Sequence, residues 1–87
     1  MKQPIERPSE HLLADGDGRI VTSSDVCGGR PRVKGTRVTV ADLLAALAAG
    51  DTMDELVNDL PYISREDILA ALKYAASNLD HSVSVAA

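Results

Sequence analysis

Four cations fall within eight residues, at Arg30, Arg32, Lys34 and Arg37, with no acid among them. Glycines at 28, 29 and 35 frame them, and Pro31 sits inside. Guanidinium and ammonium groups on a glycine-containing backbone suit an anion, phosphate above all. Side-chain donors and exposed backbone N–H groups can then converge on the same oxygens. The Thr36 hydroxyl adds a further donor. The competing reading is a tight β-connection whose charges are only solvated, or pair with acids elsewhere. A nucleotide-cradling P-loop does not fit. That motif needs Gly-x4-Gly-Lys-Ser/Thr opening a helix, whereas here Lys34 precedes Gly35 and a β-like run follows.

Other reactive chemistries find no constellation, so no enzyme is expected. Cys27 is the only cysteine, which rules out an intrachain disulfide and a secreted disulfide scaffold. It reads as a small thiol, buried or half-buried. His11 and His81 both lie in expected tails, so neither a metal site nor a cofactor is expected. Asp15-Gly16-Asp17-Gly18 lacks the spacing and closing Glu of a calcium loop and reads as a turn. No serine sits in a Gly-x-Ser-x-Gly elbow.

The formal net charge of -4 hides an asymmetry. Residues 1–38 carry seven Lys/Arg against five Asp/Glu, whereas residues 39–87 carry two against eight. Contact with nucleic acid would have to use the first half, because Lys and Arg supply that affinity by releasing counterions. The N-terminus shows no apolar run of a signal peptide, and no stretch approaches the roughly 20 apolar residues of a membrane span. A soluble cytoplasmic protein without a membrane partner is expected. With aromatics at 2% and no Phe or Trp, the core of this single small domain must be aliphatic. A core of that kind favours a second copy or a partner.

The elements that would position the cations follow from periodicity. Residues 1–18 read as a flexible arm, residues 19–79 as the folded domain, and residues 80–87 as a tail. Ile20-Val21-Thr22 reads as a strand, Arg30–Lys34 as at best an edge strand because of Pro31, and Thr36–Thr39 as a second short run that could pair. From Thr39 the period becomes helical. Thr39 caps a helix carrying Leu43, Leu44 and Leu47 that ends at Gly50. Thr52 and Glu55 form a capping box for a second, and Ser64 opens a third. The lengths, roughly ten, eight and fifteen residues, give a trihelical unit whose second and third helices have helix-turn-helix spacing. The expected class is therefore mainly α: short N-terminal strands followed by a homeodomain-like trihelical bundle. At the start of its third helix Ser64 and Arg65 are candidate DNA contacts. Glu66 and Asp67 oppose close approach to phosphate and fit the helix dipole instead.

Val26-Cys27-Gly28-Gly29-Arg30-Pro31, Val33-Lys34-Gly35-Thr36-Arg37-Val38, Asp59-Leu60-Pro61 and Arg65–Ala75 resemble the domain-of-unknown-function 433 family, small prokaryotic proteins related to VapB-type antitoxins. The resemblance spans about residues 20–78 and departs from the usual pattern at Arg32 and at Pro61-Tyr62-Ile63. It implies a helix-turn-helix-like fold, a homodimer, and an antitoxin role opposite a PIN-like ribonuclease toxin. On that reading the protein binds DNA, neutralises its cognate toxin and represses its own promoter. Arg30, Arg32, Lys34, Thr36, Arg37, Ser64 and Arg65 are the candidate DNA contacts. The alternative is an interaction or dimerisation module that binds no DNA.

Overall fold

A computed structural model of the chain describes residues 10–80. Three short strands, β1 (His11–Leu12), β2 (Ile20–Thr22) and β3 (Arg32–Val33), form an antiparallel sheet in the order β1-β2-β3. His11 faces Thr22 and Leu12 faces Val21, while Ile20 faces Val33 and Val21 faces Arg32. As the central strand, β2 has both faces covered, and Ile20 and Val21 are each fully buried.

Three helices follow: α1 (Val40–Ala48), α2 (Met53–Asp59) and α3 (Arg65–Asp80). Each opens with a reciprocal cap. The Thr39 hydroxyl accepts from the Asp42 N–H while Asp42 accepts from the Thr39 N–H, and Thr52 and Glu55 repeat the exchange. Ser64 and Asp67 do the same for α3, at 3.1 and 2.9 Å. Each box satisfies two donors that a helix start leaves open. Gly50, at φ +108°, follows the end of α1, and Leu60 caps α2 ahead of Pro61.

The apolar faces meet in one core, where Ile20 and Val33 of the sheet pack with Val40, Leu43, Leu56, Ile63, Ile68, Ala70 and Ala71. The expected short N-terminal strands followed by three helices are present. The fold is a small antiparallel sheet joined to three helices, a compact α/β domain, because the buried sheet residues supply one wall of the core. Part of the span expected as an arm, residues 10–18, is described. Residues 11–12 form β1 and residues 13–18 the connection to β2, with Asp15 and Asp17 in left-handed conformations at the turn. That turn is fastened to α3, since Lys73 donates to Asp17 at 2.8 Å and the Ser77 hydroxyl to Asp15 at 2.5 Å. The expected tail shortens by one residue, because Asp80 closes α3. Residues 1–9 and 81–87, with His81, lie outside the described residues.

Candidate nucleic-acid interface

The basic stretch is built from two turns on either side of β3. The first is a 3-10 turn over Cys27–Gly29, in which Cys27 and Gly28 take φ of +53° and +65°. The Thr22 hydroxyl donates to the Gly29 carbonyl at 2.5 Å, fixing the turn to the end of β2. The second is a hairpin tip. Val33 N–H donates to the Val38 carbonyl at 2.9 Å, Thr36 N–H donates to the Val33 carbonyl at 3.0 Å, and Arg32 bridges to Thr39. Gly35 at φ +82° makes that reversal possible, a conformation that costs a side-chain-bearing residue about 1 kcal/mol or more. The strand expected over Thr36–Thr39 is therefore a tip plus a single bridge. The two turns touch, because the Cys27 thiol reaches the Arg37 carbonyl at 3.4 Å.

The seven candidate contacts separate into three groups. Arg30, Lys34 and Arg37 are exposed on the joined turns, and no acidic side chain forms an ion pair with any of them among the described residues. Arg30 Nε donates to the Cys27 carbonyl at 3.1 Å, which orients its guanidinium and leaves its terminal nitrogens available.

Arg32 and Thr36 belong to the scaffold. Arg32 points to the face of the sheet away from the helices and is 5% exposed. It donates to Ser23 Oγ at 2.9 Å, to Glu10 Oε2 at 3.3 Å and to the Thr36 carbonyl at 3.3 Å. Only its Nε is buried without a partner. On β3 opposite Val21 it shares that outer face, where Ser23, Glu10 and the Thr36 carbonyl enclose it, so it is not a surface cation. The Thr36 hydroxyl is used within the tip, donating to the Val33 carbonyl at 2.9 Å and accepting from the Val38 N–H at 3.0 Å.

Ser64 and Arg65, at the start of α3, are held by the protein itself. Ser64 caps the helix, and Arg65 donates to Asp54 Oδ1 at 2.6 Å and to Met53 Sδ at 3.2 Å, tying α3 to α2. Asp67 beside them accepts from Arg19 at 2.9 Å. Burial, the largest single influence on Asp67, opposes its charge. The Ser64 backbone N–H, the Arg19 guanidinium and the Ser64 hydroxyl together outweigh burial, and the carboxyl titrates below the usual range. Three features here escaped the sequence reading: the Arg32–Ser23–Glu10 cluster, the thiol link between the turns and the Arg19–Asp67 pair.

Among the described residues no three or more His, Cys, Asp or Glu side chains are grouped to hold a metal ion. No helix among them is long and apolar enough to cross a membrane.

The family profile described as "Protein of unknown function (DUF433)" matches residues 20–75, from β2 through most of α3. The uncharacterized protein y4eO of Sinorhizobium fredii is 45% identical over 78 residues, which is 86% of this chain and 35% of that protein. This chain thus spans about a third of that relative's length. The crystal structure of a DUF433 member protein from Anabaena variabilis matches at a TM-score of 0.68 and 34% identity, over 71% of this chain and 61% of that one. The matched span holds the central strand, both basic turns and all three helix starts, and the chain belongs to the DUF433 family.

Proposed function

We propose that this chain is an antitoxin-like protein that binds duplex DNA, neutralises a PIN-like ribonuclease toxin and represses its own promoter. One observation carries the DNA half: Arg30, Lys34 and Arg37 stand exposed on two turns that touch through the Cys27–Arg37 contact, unpaired with any acid among the described residues. Three unneutralised cations on a rigid backbone suit phosphates, which position a protein on a duplex without reading its sequence. The start of α3 contributes little, because Arg65 is paired and Glu66 and Asp67 repel phosphate.

Three phosphate contacts give a log–log salt slope of about −2.7, so affinity falls roughly 40-fold between 50 and 200 mM salt. Fluorescence anisotropy on a labelled duplex taken from upstream of its own gene measures this. Changing Arg30, Lys34 and Arg37 together to Ala is expected to abolish binding while the circular dichroism melt stays that of the parent. Salt-insensitive binding, or a triple variant that binds like the parent, would overturn the DNA half. The toxin half is tested by co-expression with a neighbouring nuclease-like protein, where rescue of growth and co-purification are expected.

A second reading, a protein-interaction module that binds no DNA, is favoured by the acidic entry to α3 and by the Asp54 clamp on Arg65. It predicts a tight protein complex and no shift of any duplex.

A further inference from the structure

The outer side of α3 carries an apolar seam. Leu69, Leu72, Ala76 and Leu79 follow one another in steps of three, four and three, the spacing that keeps side chains facing a second helix, and Arg65 lies four residues before them at the seam's end. Leu69 is 48% exposed and Leu79 64% exposed, Ala76 is exposed and Leu72 is half-buried. Along one edge of the seam lie Glu66 and Lys73, both exposed and of opposite charge, one heptad apart. Glu66 is in no ion pair among the described residues.

We infer that α3 pairs antiparallel with the same helix of a second copy of this chain, Leu69 against the partner's Leu72 and Glu66 against the partner's Lys73. Two-fold symmetry makes each contact twice. Charge selects both the direction and the register. In parallel pairing the two copies of Glu66, like those of Lys73, fall on opposite sides of the seam, so neither meets the opposite charge of the partner. Antiparallel pairing one heptad further along would oppose Glu66 to the partner's Asp80 and Lys73 to the partner's Lys73. Only the register centred between residues 70 and 71 matches unlike charges while covering Leu69 and Leu72. Lys73 already donates to Asp17, but an ammonium has three donors and the site is open, so it can hold a second carboxylate. One helix pair of this length falls short of the roughly 1,200 Å² of a standard interface, so the dimer dissociates on dilution.

Sedimentation equilibrium over a protein concentration series tests this, with circular dichroism melts confirming that each variant is folded. Glu66→Lys and Lys73→Glu, taken singly, place like charges across the seam and are expected to weaken dimerisation about ten-fold or more. An equimolar mixture of the two variants restores unlike charges at both sites and is expected to associate as the parent does. Leu69→Asp is expected to give a monomer. A parent that stays monomeric at every concentration would overturn the inference. So would single charge variants that dimerise like the parent, or a mixture that shows no recovery.

Discussion

Arg32→Ala separates a scaffold arginine from a surface one. In the parent its side chain is 6% exposed and holds the buried Ser23 hydroxyl, the exposed-side carboxylate of Glu10 and the Thr36 carbonyl. Truncation strands the Ser23 hydroxyl, at about 1–3 kcal/mol for a buried polar group left unpaired. It also removes apolar stem from the interior, at about 0.8 kcal/mol per methylene. Losing the ion pair costs no more than about 1 kcal/mol, since Glu10 is 43% exposed and regains water. Against these losses, a guanidinium with an unpaired Nε no longer has to be desolvated. The net cost is about 2–3 kcal/mol, or roughly 10–20 °C in Tm for a domain of this size. Urea titration followed by circular dichroism reads it directly. Arg37→Ala, on the exposed tip, is expected to stay within about 0.5 kcal/mol of the parent. Arg32→Met, which keeps the stem, should fall between the two. If Arg32→Ala melted with the parent and instead lost duplex binding as Arg37→Ala does, Arg32 would be a ligand contact and the buried assignment would fail.

Gly16→Ala tests the close approach of the β1–β2 turn to the sheet. A Cβ there would lie 2.7 Å from Ile20 Cβ and 2.8 Å from its Cγ1, so overpacking of about 1–3 kcal/mol is expected in the same urea assay. Asp67→Asn should cost about 1 kcal/mol at neutral pH through the weakened cap of α3. Because the folded state holds the Asp67 carboxyl below its usual range, its contribution is complete above about pH 4 and disappears as pH falls through the folded value. The gap in Tm between parent and Asp67→Asn should therefore close in acid. A gap unchanged from pH 7 to pH 2 would refute the electrostatic account.

The helices were legible because their signals are local. Thr39 with Asp42 and Thr52 with Glu55 stand three residues apart, and both form the reciprocal bonds that spacing implies. The sheet was only partly legible. β1 has two residues, both exposed, and gains its identity only by pairing with a strand whose partner residues lie about ten positions on. Thr36 and Val38 carry the β-branched signature of a strand, yet the Thr36 hydroxyl bonds within the tip and curls the chain instead. In the basic stretch, residue type identified the cations but not their direction. Arg32 is buried through Ser23, nine residues before it, and Glu10, twenty-two before, and no short window contains both.

The fastening of the β1–β2 turn to α3 has a consequence for how the protein is made. Arg19 reaches Asp67 across 48 residues of chain, Lys73 reaches back to Asp17 across 56, and Ser77 reaches Asp15 across 62. Synthesis runs from the N-terminus, so the residues of both basic turns leave the ribosome long before the helix that anchors the turn ahead of them. During that interval the β1–β2 turn lacks all three of its anchors, whereas the bonds that shape the basic turns lie within residues 22–39 and are already available. Completion of α3 therefore sets the moment at which the sheet is fastened to the helices.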